Sequence, residues 1–226
     1  MGIAATQPTV TVAEPARAWR PIRIARIIAR LNVGGPARHA IALTAGLDPA
    51  RFVTTLITGV GERDEGDLSA EARARGVQPV VIPELGPRIQ LGRDLLALGK
   101  LVRLLRRLRP DLVHTHTAKA GALGRVAARL VGVPIIVHTF HGHVLEGYFS
   151  PSRAWLFLQI ERLLARVTDR IVTVSPRVRH DLLARGIGRP EQMEVVPVGL
   201  DLAPFLQGPA APARLREKLA IPLDAP

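Results

Sequence analysis

The chain has 226 residues, 47% of them hydrophobic and none of them cysteine, with 31 Lys+Arg against 19 Asp+Glu and a net charge of +12. That length and apolar content support a sizeable core, and the absence of thiols excludes disulfides and thiolate metal sites. No apolar run approaches the ~20 residues of a membrane-spanning helix, and an aromatic content of 4%, with no ring interleaved among the arginines, disfavours nucleic acid as the anionic partner. Residues 1–20 are Ala/Thr/Pro-rich without the apolar stretch of a secretory signal, and read as a disordered lead-in. From Pro21 the pattern alternates strand and helix. Ile22–Leu31 reads as a first strand despite Arg23, Arg26 and Arg30, Pro36–Leu47 as a helix, and Phe52–Thr58 as a second strand. A polar loop over Gly59–Gly66 and a short helix ending at Arg75-Gly76 lead to a third strand, Val77–Ile82.

Leu91–Leu108 reads as a long helix with Leu91, Leu95, Leu98, Val102 and Leu105 on one stripe and Arg93, Lys100, Arg103, Arg106, Arg107 and Arg109 clustered along it. Asp111–His114, Pro134–Thr139, Arg170–Val174 and Met193–Val196 supply four more strands. Between them lie helices over Gly121–Leu130, over Ser152–Val167 (carrying Trp155, Leu156, Leu163 and Leu164), and over Pro176–Arg185 with Ser175 as N-cap. Short apolar runs separated by helices indicate a mostly parallel sheet of about seven strands covered on both faces, a doubly wound, Rossmann-like α/β fold. Residues 21–201 form this domain, and the Gly/Pro/Ala-rich residues 202–226 read as a linker.

Histidines carry the clearest functional signal. Five of the seven, His114, His116, His138, His141 and His143, sit at two strand ends that such a sheet brings to one edge, the edge where open α/β sheets bind ligands. They leave several readings open. The spacing permits a metal site, although Glu146 is the one carboxylate nearby; His114 and His138 read as capping or carbonyl-satisfying rings. Asn32-Val33-Gly34-Gly35-Pro36 opens the first helix and offers N–H groups to an anion. It lacks the G-x-G-x-x-G dinucleotide pattern, and no acid ends the second strand, which disfavours a nicotinamide dehydrogenase. Lys119 stands at a helix start, either adding charge to an anion site or solvated in a turn; Glu161 reads as a surface salt-bridge partner.

Taken in order, these motifs resemble the family 4 retaining glycosyltransferases of the GT-B fold. The matching pieces are Gly34-Gly35, His114-Thr-His116 with Lys119-Ala-Gly121, Thr139-Phe-His141-Gly142, Val174-Ser175, and Val196-Pro-Val-Gly199-Leu-Asp201, spread over residues 22–201. Val198 departs from the family, which often has Asn there. The resemblance covers the N-terminal, acceptor-side domain alone, without the E-x7-E carboxylates of a donor domain. It implies sugar transfer from a nucleotide-sugar donor to a cell-envelope polysaccharide or lipid-linked acceptor, with no metal and no cofactor. His141 would be catalytic and Gly34, Gly35, His116, Lys119, Gly142 and His143 would bind donor or acceptor, with the fragment alone inactive. It further implies a cytoplasmic protein, peripheral on the inner face of the plasma membrane, with the arginine face of Leu91–Arg109 meeting an anionic surface. A sugar-nucleotide epimerase fragment and a non-catalytic ligand-binding domain are the alternative readings.

Overall fold

The computed structural model describes residues 20–62, 64–142, 150–199 and 216–222. The expectations placed on residues 1–19, on His143 and Glu146, and on most of 202–226 lie outside these. Seven strands form one all-parallel sheet: β1 (Ile22–Ile28), β2 (Phe52–Thr58), β3 (Val80–Val81), β4 (Leu112–His116), β5 (Ile135–Phe140), β6 (Arg170–Thr173) and β7 (Met193–Val195), in the order β3-β2-β1-β4-β5-β6-β7. Six helices connect them: α1 (Gly35–Ala45), α2 (Ser69–Ala74), α3 (Leu91–Leu108), α4 (Ala118–Val131), α5 (Pro151–Ala165) and α6 (Pro176–Ala184). Parallel neighbours need crossovers, and crossovers are right-handed. The chain therefore winds leftward from β1 with α1 and α2 on one face, then rightward from β4 with α3 to α6 on the other.

The core follows from that winding. Ala25, Ile27, Val113 and Ile136 pack under Ala97, Leu101, Leu105, Ala120 and Ala127 of α3 and α4, while Ile28, Leu56, Ala37, Ala40 and Ile41 form a second cluster under α1. A third joins Phe140, Ile171, Leu182 and Met193. Among the described residues no helix packs on the α1-side face of β5 to β7, and Ile135 and Val196 remain 44% and 47% exposed there. Ser175 caps α6 as expected, accepting from the Val178 amide at 3.3 Å.

Three expected elements differ. The third strand shrinks from Val77–Ile82 to two residues, because β3 is an edge strand paired only over Ile57↔Val80 and Thr58↔Val81. The buried arc of α3 runs through Ala97, Leu101, Leu104 and Leu105, about a quarter turn from the expected stripe. Leu91 and Leu95 are 78% and 62% exposed, since packing on α4 sets the rotation of the helix. Glu161 is not on the surface: its carboxylate accepts from Arg125 at 2.7 Å, and the Arg125 side chain is fully buried. Of the apolar residues that α5 carries, Leu164 is buried while Trp155, Leu156 and Leu163 are exposed.

Candidate functional site

The ends of β1 and β4 lie side by side, and the helices that follow them, α1 and α4, leave on opposite faces of the sheet. This is the point where strand order reverses and a crevice opens at the carboxyl edge. Gly34 in extended conformation caps α1 and Thr117 caps α4; neither helix has a side-chain cap or an acid in its first turn. Two uncapped, positively polarised helix N-termini thus meet at one edge. A Cβ on Gly35 would meet nothing within 4 Å, so its backbone lies open to a ligand. Thr117, a β-branched residue, is held at φ 63°, a strained conformation that the surrounding fold must enforce, and its Oγ1 accepts from the Ala29 amide at 3.3 Å.

Strand β4 runs through both His114 and His116, so the two rings share one face, the α1 side. Thr139 pairs with His116 in the β4–β5 register and carries the same face on to His141. His116 Nδ1 lies 3.0 Å from His141 Nε2, and the two rings have centroids 5.3 Å apart. His39 of α1 closes the group, its ring edge-on to His141 at 5.3 Å and to His116 at 6.2 Å. Behind them, on β1, Arg26 is 3% exposed and donates to Thr44 Oγ1 at 3.1 Å and to His114 Nδ1 at 2.6 Å. No carboxylate pairs with it among the described residues, and burial lowers its guanidinium to about 10. Arginine can only donate. His114 therefore carries its proton on Nε2 and gives it to Thr139 Oγ1, 2.7 Å away.

Burial keeps all these imidazoles neutral. His116 and His114 lie well below the ordinary value, burial first and then neighbouring rings and Arg26 opposing a further charge. His39 is lowered by burial and Arg26, and His141 is pushed down to about 4 by burial and then by His39. The rings form a neutral, donor-rich wall beside a buried cation, suited to an anionic or hydroxyl-bearing ligand. Among the described residues no three ligating side chains are arranged to hold a metal ion.

Several expected roles change. His138 leaves the group, facing the α4 side, 1% exposed, with Nδ1 2.8 Å from Thr115 Oγ1. It neither caps a helix nor serves a loop; its ring fills the space beneath Gly121, where a Cβ would stand 2.5 Å from it. Lys119 is neither an open anion site nor solvated. Its ammonium forms an ion pair with Asp94 at 2.6 Å and donates to the carbonyls of Arg88 and Glu84 at 2.6 and 3.2 Å, which pins the start of α3. Gly142 has φ 141°, a conformation that favours glycine, and turns the chain directly after His141. His39 and Arg26 were missed by the sequence reading: one sits singly on an apolar helix, the other looks like an interruption of a strand.

At the carboxyl ends of β2 and β3 and the start of α4, a cavity of about 260 Å³ is lined by Gly61, Glu62, Glu84, Arg88, Arg93 and Lys119. Glu62 pairs with Arg88 at 2.7 Å and Glu84 with Lys100 at 2.6 Å, so its charges are largely compensated. The opening carries mixed polar groups of the kind that hydrogen-bond hydroxyls.

The family model for Glycosyltransferase Family 4 matches residues 33–204, which includes the glycine turn, both histidine strands and the edge they share. The chain belongs to glycosyltransferase family 4. A UDP-Gal:alpha-D-GlcNAc-diphosphoundecaprenol alpha-1,3-galactosyltransferase of Escherichia coli is 35% identical over 129 residues, 57% of this chain and 33% of that protein. A D-inositol 3-phosphate glycosyltransferase of Acidothermus cellulolyticus is 28% identical over 95% of this chain and 52% of its own length. The chain thus spans a third to a half of these family members. The fold agrees with a glycosyltransferase from Rickettsia africae, TM-score 0.67 and 18% identity over 92% of this chain and 52% of that one. It also agrees with a UDP-N-acetylglucosamine 2-epimerase from Rickettsia bellii, TM-score 0.58 and 15% identity over 90% of this chain and 52% of that one.

Proposed function

We propose that this family 4 chain is the acceptor-side half of a retaining glycosyltransferase that moves a sugar from a nucleotide-sugar donor to a cell-envelope polysaccharide or lipid-linked acceptor. Residues 21–201 form the domain, and 202–226 lead toward the half that the relatives have in addition. The observation that carries the reading is the His116–His141 pair, 3.0 Å apart at the crevice where the uncapped ends of α1 and α4 converge. A departing nucleoside diphosphate accumulates negative charge, which the first-turn amides behind Gly34 and Gly35 and the neutral donor His141 would stabilise. Gly142 and His143 would contact the same donor or the acceptor. Lys119, tied to Asp94 and to two carbonyls, would serve by holding the wall of the adjoining cavity, where acceptor hydroxyls would meet Glu62, Glu84 and Arg93.

The test extends the chain to the full length of its relatives and assays sugar nucleotides with a lipid-diphosphate-linked acceptor. His141→Ala is expected to lower turnover by about 10²–10³-fold, the usual cost of one stabilising donor, with the circular dichroism spectrum unchanged. Turnover within threefold of the parent would remove His141 from the chemistry. The epimerase alternative has the likeness of fold alone in its favour; conversion of a UDP-sugar to its epimer with no acceptor present would establish it instead. Retention is read from the anomeric proton of the product.

The acceptor reading extends to a surface. No helix among the described residues is long and apolar enough to cross a membrane. Beside the cavity, however, Ile89, Leu91, Leu95 and Leu96 are 58–78% exposed, followed along α3 by exposed Arg103, Arg106 and Arg107. An apolar patch flanked by cations suits the face of an anionic bilayer, from which a lipid-linked acceptor would reach the cavity. The protein is expected to sediment with phosphatidylglycerol vesicles, and Leu91→Glu/Leu95→Glu to abolish this. Equal binding to neutral phosphatidylcholine vesicles would overturn the electrostatic part of the reading.

A further inference from the structure

The buried hydrogen-bond inventory of the histidine wall contains one asymmetry. His116 is 0% exposed, its Nδ1 lies 3.0 Å from His141 Nε2, and its other nitrogen, Nε2, is buried with no hydrogen-bond partner among the described residues. One imidazole must donate to the other, and each choice fixes both tautomers. If His141 donated from Nε2, neutral His116 would carry its proton on Nε2, a buried N–H with no acceptor, at a cost of about 1–3 kcal/mol. If His116 donates from Nδ1, its unpartnered Nε2 is a bare lone pair, and orphaned acceptors are better tolerated than orphaned N–H groups. The neighbourhood favours the second arrangement. Arg26 already fixes His114 with its proton on Nε2 directed to Thr139, so His114 offers His116 no lone pair to receive such a proton.

We infer that His116 is a positioning residue that holds His141 in its Nδ1–H tautomer, so that His141 meets a sugar or phosphate oxygen as a neutral hydrogen-bond donor and not as a base through Nε2. The tautomer follows from the geometry of this chain alone; the ligand it meets rests on the function proposed above. The Nε2 lone pair of His141 is occupied by His116, leaving Nδ1–H as the group free to turn toward the crevice.

Long-range ¹⁵N–¹H correlation spectra of the histidine rings, recorded on the 226-residue protein at neutral pH, test this directly. The expected spectrum has His116 and His141 both protonated at Nδ1 and unprotonated at Nε2. In His116→Phe, which keeps the ring volume and removes the donor, His141 is expected to revert to the Nε2–H form that a free imidazole favours. His116→Asn, which can donate from its amide, is expected to restore the Nδ1–H form. A wild-type His141 protonated at Nε2, or a tautomer unmoved by His116→Phe, overturns the inference. Should His116→Phe not fold, the wild-type spectrum still decides. In the full-length enzyme, His116→Phe is expected to lower kcat about tenfold with KM little changed, and His116→Asn to recover most of it. An Nδ1–H His141 in a full-length protein without sugar transfer would defeat the proposed function and leave the tautomer assignment standing.

Discussion

Lowering the pH from 7.5 to 5.5 is expected to destabilise this chain steeply, with the urea midpoint level down to about 6.5 and falling below it. His39, His116 and His138 are 5%, 0% and 1% exposed, and burial holds each below its ordinary imidazole value. The unfolded chain protonates them near pH 6.5 while the folded chain refuses the proton. Below that pH the unfolded state binds more protons, so stability is fully present above about 6.5 and is lost as pH falls toward the folded values, about 4 for His141. Each ring that stays neutral contributes a slope of about 1.4 kcal/mol per pH unit, so His116 and His138, both held well below the ordinary value, together approach about 3. Over the one unit between about 6.5 and 5.5 that removes a large share of the roughly 5–15 kcal/mol a domain holds. His138→Asn, which keeps a donor toward Thr115 and removes the titration, is expected to shallow the slope by about one proton. A midpoint that stays flat between pH 7.5 and 5.5 would show that the rings are hydrated in solution.

The second large effect lies away from the crevice. Glu161→Gln is expected to cost about 3–5 kcal/mol, because it strands the charge of Arg125, whose side chain is fully buried and whose Nη1 already lacks a hydrogen-bond partner among the described residues. For a chain of this size that is a fall in Tm of roughly 10 °C or more. The double variant Arg125→Met/Glu161→Leu is expected to recover most of the loss, since an apolar pair of similar volume avoids desolvating two ions. Scanning calorimetry of the single and double variants checks both statements; additive losses would mean that the pair is not coupled across α4 and α5.

Much of the architecture was legible because a parallel sheet buried on both faces writes itself as short apolar runs between amphipathic helices. β2, β4 and β5 lie within a residue or two of where those runs predict them. β3 was overestimated because Val77–Ile82 is as apolar as a real strand, and only pairing with β2 decides how much of it joins the sheet. The rotation of α3 was misjudged for a related reason. Leu91 and Leu95 fit an apolar stripe, yet which arc is buried depends on where α4 lies. Glu161 and Lys119 looked like surface charges because charged residues usually are, and their partners Arg125 and Asp94 stand 36 and 25 positions away.

The sequence by itself determined the fold class and the two strands whose ends bring imidazoles to one edge of the sheet. It did so because periodicity, glycine turns and unusual residue types are local properties. Which histidines work together was decided by the tertiary structure. Alternation along β4 and β5 turned His116 and Thr139 to one face and His138 to the other, and the winding of α1 brought in His39 from a stretch with no mark of its own. The same winding set Arg26 behind the wall without a carboxylate, and the hydrogen-bond inventory of that buried layer, invisible in any linear pattern, fixes the protons on which the site would depend.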